Sequence, residues 1–211
     1  MRKHQKEANM TKQTKTITEK VLPIKDTNVL HDVEDTLLNN FRYGRRNFTI
    51  FQVGKATLLR VSDVLNLKME DVYNNNGSVK KSTRIRDIKT KKHHTIYLKP
   101  VSNDLAIYYQ YRQKHNINSE WLFPSSNNYD KPITTKQFYK IMAKTGDLLG
   151  IDYLGTHSMR KTGAYRVYQQ TGHDIALVMK LLNHSSAAMT LSYLGLEQES
   201  REHILDHVNF D

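Results

Sequence analysis

The spacing of apolar residues predicts a chain that is mainly helical. Val29, Val33 and Leu37 recur every four residues, so on a helix they share one face. A later apolar pattern stops at Gly150, and glycine readily adopts the left-handed backbone that closes a helix. On the same grounds we expect two helical segments within 47–66 and helices around 103–115, 138–149, 157–171, 174–182, 186–194 and 197–207.

A different pattern interrupts the helices between residues 82 and 98. Thr83, Ile85 and Ile96 belong to two stretches rich in β-branched and aromatic residues, and a polar stretch with several lysines separates them. This predicts a hairpin with a basic tip. A further strand over 69–73, followed by an asparagine and glycine turn at 74–77, would complete a three-stranded antiparallel sheet. Helices around a small sheet, without alternation of strand and helix, indicate an α+β fold.

The composition favours an anionic partner. The 211 residues carry 32 Lys+Arg against 21 Asp+Glu, a formal net charge of +11, and the size fits one domain with an arm. The chain has no cysteine, which excludes disulfides, thiolate nucleophiles and cysteine-based metal sites. No apolar run approaches ~20 residues, and the polar start does not resemble a signal peptide. We therefore expect a cytoplasmic protein that does not enter a membrane.

The charge is unevenly distributed along the chain. Residues 80–99 hold eight basic side chains and one acid, a density that suits contact with phosphates, although a solvated surface has the same composition. Positive charge with few apolar residues predicts a flexible basic arm over 1–27. The main domain is expected over 28–200, and an acidic tail over 201–211.

An arginine inside an apolar segment is the first candidate for chemistry. Arg60 lies within 56–65, which is otherwise rich in apolar residues, and an unpaired buried charge is costly. It either pairs with Asp63, three positions further on, or binds an anion. The segment by itself favours neither interpretation.

Two histidines, an arginine and a tyrosine near the carboxyl end are further candidates. His157 and Arg160 share a face near the start of a predicted helix, where phosphate is favoured, but an ordinary basic helix surface explains them as well. By itself, His184 is more often a capping or packing histidine than a catalyst. Tyr193 is one of twelve tyrosines. Judged singly, each residue is weak evidence for a site.

In order and together, these segments resemble the catalytic domain of the tyrosine recombinase (phage integrase) family. The most specific parts are the His-x-x-Arg box that begins at His157 and the interval of nine residues from His184 to Tyr193. Leu58 stands where the family usually has glycine, and Ser158-Met159 where it often has Asp-Leu. The resemblance covers about 28–200, and its matching segments are 57–67, Lys89, 156–162, 182–186 and Tyr193.

The resemblance implies a transfer of DNA strands that needs neither a metal nor another cofactor. In this family a tyrosine attacks a DNA phosphodiester and leaves a 3′-phosphotyrosine and a free 5′-hydroxyl, while guanidinium groups stabilise the charge on the phosphate oxygens. The matching catalytic residues are Arg60, Lys89, His157, Arg160, His184 and Tyr193, with Asp63 as an orienting residue behind them. His157 matches the base and Lys89 the acid, for which Lys91 and Lys92 are rivals. DNA contacts are expected from Arg84, Arg86, Lys91, Lys92 and Lys161.

The implied partners are double-stranded DNA and further copies of the chain, assembled as a tetramer on two DNA sites. The family usually carries a helical DNA-clamping domain of about 100 residues, for which the stretch before residue 60 is too short. This layout resembles short, catalytic-domain-only relatives encoded by bacteria or phages, so inversion of a DNA segment competes with integration and excision. A regulator that binds DNA without cutting it is the alternative from another class, and a generic basic nucleic-acid-binding protein is a third.

Overall fold

The computed structural model describes residues 21–89, 91–196 and 208. The helices are α1 (Thr27–Asn39), α2 (Gly44–Thr57), α3 (Val61–Leu65), α4 (Met69–Val72), α5 (Ser102–Lys114), α6 (Thr135–Leu149), α7 (Ser158–Gln170), α8 (Ile175–Leu182) and α9 (Ala187–Leu194). The strands are β1 (Ser82–Arg86) and β2 (His93–Tyr97), and a 3-10 turn over Lys99–Val101 leads into α5. The predicted α+β class is confirmed.

Helix α2 lies at the centre of the main core. Ile50, Phe51 and Val53 on this helix have no solvent-exposed surface, and α2 packs against α1, α5 and α7. The first helix starts where the side chain of Asp26 accepts hydrogen bonds from the backbone of Asn28 and Val29, which satisfies amides left free at a helix start. Apolar spacing therefore predicted the helices that build this core, whereas the expected helix over 197–207 lies outside the described residues.

The prediction of a three-stranded sheet is wrong, because the sheet has two strands within the described part of the chain. Residues 69–73, expected as a strand, form the short helix α4, and only Tyr73 makes an isolated antiparallel bridge, to Val79. The carboxylate of Asp71 accepts a hydrogen bond from the backbone N–H of Lys68 at 2.7 Å and so caps the start of this helix. The predicted hairpin is present: β1 and β2 pair antiparallel, and Ile85 and Ile96 face the core.

Helices α7, α8 and α9 enclose a second, smaller core that supports the carboxyl-terminal part of the chain. Its buried residues are Ala164, Val178, Leu182, Leu194 and Leu196. Because α8 and α9 each contribute to this cluster, the connection between them and the inner face of α9 are held against α7.

Residues 21–26, which belong to the predicted arm, pack on the domain. Ile24 is fully buried, and its backbone N–H donates to the hydroxyl of Thr162 on α7 at 2.9 Å. The backbone N–H of Leu22 donates to the carbonyl of Tyr153. The division into arm, domain and tail stays a prediction, since the rest of the arm and almost all of the tail lie outside the described residues. Within the described residues, no helix combines the length and apolarity needed to span a membrane.

Candidate active site

Arg60 is presented by a tight reversal between α2 and α3. The chain leaves α2 through Leu58, which adopts a left-handed backbone with φ 55° and ψ 25°, and Arg60 immediately precedes α3 as its N-cap residue. One guanidinium nitrogen of Arg60 donates to the carboxylate of Asp87 at 2.5 Å. The partner of Arg60 is thus the acid at the base of the hairpin tip rather than Asp63, which the sequence offered as one alternative.

Asp63 fastens the hairpin tip to α3. Its side chain is almost fully buried, and Oδ1 accepts a hydrogen bond from the backbone N–H of Ile88 at 2.9 Å. The other carboxylate oxygen, Oδ2, is buried and has no hydrogen-bond partner among the described residues. Burial raises the pKa of Asp63, and the nearby carboxylate of Asp87 adds to the increase. Asp63 thus meets the hairpin next to the Arg60–Asp87 ion pair.

Arg160 enters the site from the first turns of α7. The preceding turn is closed by Ser158, whose hydroxyl accepts from the backbone N–H of Gly155 at 2.9 Å, and Met159 fills the space left by the absent side chain of Gly54. The Arg160 side chain is buried and donates to the carbonyl of Leu182, the last residue of α8, at 3.2 Å. Burial lowers its pKa. The guanidinium group therefore connects α7 to the end of α8.

His157 immediately precedes α7 and has an exposed side chain. Its pKa is lowered, first because neighbouring protein displaces part of its water and then because Arg160, Lys161 and Arg60 lie close enough to repel a proton. At neutral pH the ring is therefore uncharged and has a nitrogen able to accept a proton.

His184 follows α8 and is fixed on one edge by α9. Its ring nitrogen Nδ1 lies 3.0 Å from the hydroxyl of Thr190, which is fully buried, and its backbone N–H donates to the carbonyl of Met179 at 2.9 Å. Burial lowers the pKa of His184, and Arg160 and Arg60 add to that effect. With Nδ1 directed at Thr190, Nε2 is the nitrogen that remains for a ligand.

The ring of Tyr193 contacts a histidine and a lysine of the site. The His184 ring approaches it edge-on with centroids 5.1 Å apart, and the ammonium of Lys161 lies 4.7 Å from its centroid. The hydroxyl is buried without a hydrogen-bond partner among the described residues. Burial raises the pKa of Tyr193, while Arg160 and Arg60 act in the opposite direction. Five candidates, Arg60, His157, Arg160, His184 and Tyr193, therefore belong to one electrostatic centre.

Lys89 is the candidate that the structure does not join to this centre by a contact. Its side chain is exposed in the hairpin tip, and no hydrogen bond or ion pair links it to the other five among the described residues. The tip itself is anchored next to it, through Asp87 and Ile88. Lys89 therefore follows directly after the two residues that attach the hairpin tip to Arg60 and Asp63.

The expected DNA contacts fall into two groups. Lys161 is buried against Tyr193, which sets it apart from the solvent-facing surface. The other four are exposed on the hairpin: Arg84, Arg86, Lys91 and Lys92. A second basic surface, which the sequence analysis did not single out, is a stripe of exposed lysines along α6 at intervals of four: Lys136, Lys140 and Lys144. The available signal was their spacing of four residues, with Lys140 and Lys144 inside the predicted helix around 138–149 and Lys136 just before it.

Two functional candidates escaped the sequence analysis. Asp87 is the single acid in the basic stretch 80–99, and that contrast was the signal that could have found it. Thr190 gave no comparable signal, because a spacing of six residues does not by itself indicate that its hydroxyl meets the His184 ring.

The fold, helices around a small antiparallel sheet, matches the catalytic domain of tyrosine recombinases. The family model described as "Phage integrase family" matches residues 7–200, and the chain belongs to that family. Over 181 residues it is 34% identical to the probable integrase/recombinase YoeC of Bacillus subtilis, a match that covers 85% of this chain and 92% of YoeC.

More distant relatives are longer than this chain. The tyrosine recombinase XerA of Pyrococcus furiosus is 27% identical, and the match covers 73% of this chain and 51% of XerA. The crystal structure of the XerH site-specific recombinase bound to its palindromic difH substrate, a post-cleavage complex, superposes with a TM-score of 0.64 at 19% identity, covering 86% of this chain and 51% of that one. The chain thus spans about half the length of these two recombinases.

Proposed function

We propose that the protein cuts and rejoins double-stranded DNA at specific sites through Tyr193. The phenol oxygen attacks the scissile phosphorus, the Tyr193 oxygen–phosphorus bond forms, and the bond from phosphorus to the 5′-oxygen breaks. The 3′-phosphotyrosine conserves the energy of the phosphodiester, so a 5′-hydroxyl of the partner strand reverses the step without an external energy source. Exchange between two sites integrates, excises or inverts the DNA between them.

The environment of the Tyr193 hydroxyl is the observation that carries this proposal. The group is buried without a hydrogen-bond partner among the described residues, and both Arg160 and Arg60 act on it electrostatically. An in-line displacement concentrates negative charge on the non-bridging phosphate oxygens, and rigid guanidinium groups stabilise that charge because they donate in pairs and stay charged. The hydroxyl thus lacks a protein partner where a phosphate would find two cations.

Proton transfer is assigned to His157 and Lys89. Tyr193 keeps its proton in the absence of DNA because burial raises its pKa, so a base must remove the proton during attack. His157 is uncharged at neutral pH and serves as this base. Lys89, exposed beside the anchored base of the hairpin tip, donates a proton to the departing 5′-oxygen.

DNA is bound through the exposed basic hairpin and the lysine stripe of α6. Phosphate neutralisation by such side chains makes affinity fall steeply with salt and carries little sequence information. Because strand exchange joins two duplexes, we infer that four copies assemble on two sites. The number of copies is tested by measuring the mass of the particles with and without DNA that carries the recombination site. A tetramer that forms only on DNA supports the inference. A monomer on each site contradicts it.

Covalent capture tests the cleavage activity. The protein is incubated with fragmented DNA from the genome that encodes it, and protein-linked fragments are recovered under denaturing conditions and sequenced. We expect one enriched site with the wild-type chain, no adduct with Tyr193→Phe, and wild-type yield with Tyr139→Phe, an exposed tyrosine on α6. Specific binding without any adduct would contradict the proposal and identify a non-cleaving regulator.

A modified leaving group tests the role of Lys89. When sulfur replaces the bridging 5′-oxygen at the captured site, the departing thiolate needs no proton, because a thiol is far more acidic than an alcohol. We expect Lys89→Ala to lose cleavage of ordinary DNA and to regain it on the sulfur substrate. The matched variants Lys91→Ala and Lys92→Ala should be cleavage-competent on both substrates. If one of them shows the rescue instead, that lysine is the acid.

A further inference from the structure

The contact between Thr190 and His184 links the protonated nitrogen of the histidine to the direction in which the threonine hydroxyl donates. Thr190 is fully buried, and its hydroxyl lies 3.0 Å from His184 Nδ1 and 3.1 Å from the carbonyl oxygen of Ser186. A threonine hydroxyl has one hydrogen, so it donates to one of these two acceptors at a time. The two arrangements require different tautomers of an uncharged His184.

The first arrangement leaves Nε2 unable to donate. If the Thr190 hydroxyl donates to the Ser186 carbonyl, its oxygen must accept from Nδ1–H of His184, and the uncharged ring then has a bare Nε2. A bare nitrogen repels a phosphate oxygen, since both are acceptors.

In the second arrangement the Thr190 hydroxyl donates to Nδ1, and the proton of the ring stays on Nε2. The Ser186 carbonyl does not lose its last partner, because it also accepts from the backbone N–H of Thr190 in the first turn of α9, at 3.3 Å. Arg160 of α7 and Arg60 before α3 oppose a second proton on the ring, and Tyr193 of α9 contacts the ring edge-on. An uncharged Nε2–H is thus the form that donates to a phosphate without adding a third positive charge.

We propose that Thr190 is a positioning residue whose hydroxyl donates to Nδ1 of His184 and thereby keeps the proton on Nε2, directed at the DNA phosphate. The inference rests on the proposed function, to which it adds that His184 donates a hydrogen bond to the phosphate through Nε2. It adds a residue to the strand-transfer site that acts on the DNA only through the histidine.

The tautomer is measured by nitrogen-15 NMR on the full-length protein without DNA at pH 7.5, with the His184 signals assigned by their loss in His184→Gln. We expect the Nε2–H pattern in the wild type and in Thr190→Ser, which keeps the hydroxyl. Thr190→Val has the same shape without the hydroxyl and should give a mixture of the two tautomers. An Nδ1–H pattern in the wild type, or an unchanged pattern in Thr190→Val, would overturn the inference.

Adduct formation with the same variants separates this inference from the proposed function. We expect Thr190→Val to form the adduct on the order of tenfold more slowly, as for other residues that orient a functional histidine, and Thr190→Ser to restore the rate. The expected tautomer without adduct in the wild type would refute the proposed function and leave the Thr190 assignment standing. Normal adduct formation in a wild-type protein whose His184 carries its proton on Nδ1 would refute the Thr190 assignment and leave the proposed function standing.

Discussion

The ammonium group of Lys161 lies 4.7 Å from the centre of the Tyr193 ring, and the lysine side chain is buried beneath it. The first residue after Arg160 therefore contacts the proposed nucleophile itself. A cation over an aromatic face is worth about 0.5–2 kcal/mol, so the contact favours this orientation of the ring. Lys161 thus has a role in the site that exposure on a DNA-binding surface would not give it.

Replacement of Lys161 should slow cleavage without altering how DNA affinity depends on salt. We expect Lys161→Met to reduce the rate of adduct formation about 2- to 30-fold, the loss of one cation–π contact, and Lys161→Arg to retain most of the rate. The salt dependence of DNA affinity, measured by fluorescence anisotropy, should match the wild type. A salt slope reduced by about 1 would instead show that Lys161 contacts a phosphate.

The rise of the cleavage rate at acidic pH should reflect the loss of a proton from the His157 ring. Because the pKa of His157 is lowered from 6.5, the ring is uncharged and able to accept a proton already below that pH. The rate of adduct formation at subsaturating DNA should therefore rise with pH and reach half of its maximum below pH 6.5. His157→Gln should remove this rise and lower the maximum about 100- to 10,000-fold.

A distant histidine serves as the control for that measurement. His173 is exposed after the other end of α7, where it contacts Gln169 and Tyr168, and His173→Gln should leave the profile unchanged. A midpoint above pH 6.5, or a rise that persists in His157→Gln, would assign the titration to another group.

At neutral pH the free energy of unfolding should be no higher with Asp63 than with asparagine in its place. Its folded-state pKa is raised, so the stability it contributes is complete below the unfolded value near 3.8 and is lost as the pH rises through the folded value. Asp63→Asn keeps an oxygen for the N–H of Ile88 without the buried charge. We expect this variant to equal or exceed the wild type by up to about 1 kcal/mol at pH 7 in urea unfolding, and to lose that advantage by pH 4.

The matched control is Asp147→Asn, which changes an exposed carboxylate on α6 and should shift stability little at either pH. A large loss of stability in Asp63→Asn at pH 7 would mean that the charge of Asp63 is held by Arg60 more strongly than its burial penalises it.

Leu58 should carry measurable backbone strain. It occupies the left-handed region at φ 55°, which costs a residue with a side chain roughly 1 kcal/mol relative to glycine, and its side chain packs against Gly163. Leu58→Gly and Leu58→Ala both remove that packing, but only glycine relieves the strain. In thermal or urea unfolding the glycine variant should therefore be more stable than the alanine variant by about 1 kcal/mol. Equal stability of the two would show that the strain is absent.

The sequence predicted the helices and the hairpin because both depend on local apolar patterns. It failed at 69–73, where Met69, Val72 and Tyr73 suit a short helix as well as a strand and the capping carboxylate of Asp71 decides between them. Short segments of this kind carry too few periodic positions for a pattern to discriminate.

For the candidate site, the spacing of the motifs identified side chains but not their partners. The ion-pair partner of Arg60 is Asp87, which lies 27 positions away in the chain. The sequence pattern had offered Asp63, only three positions away, as one alternative. The contact of Lys161 with Tyr193 likewise depends on the packing of α7 against α9. Contacts between distant segments follow from the tertiary fold, which a pattern along the chain does not encode.

Two adjacent residues of the hairpin tip are tied to two residues of one short helical segment: Asp87 to Arg60 and Ile88 to Asp63. With both attachments in place, the start of the loop cannot swing or slide without carrying α3 along. A duplex that pushes on the exposed lysines of the loop would therefore shift the guanidinium group of Arg60 at the same moment. In the proposed complex with DNA, contact of the hairpin lysines with the duplex would thus be transmitted to Arg60 through these two attachments.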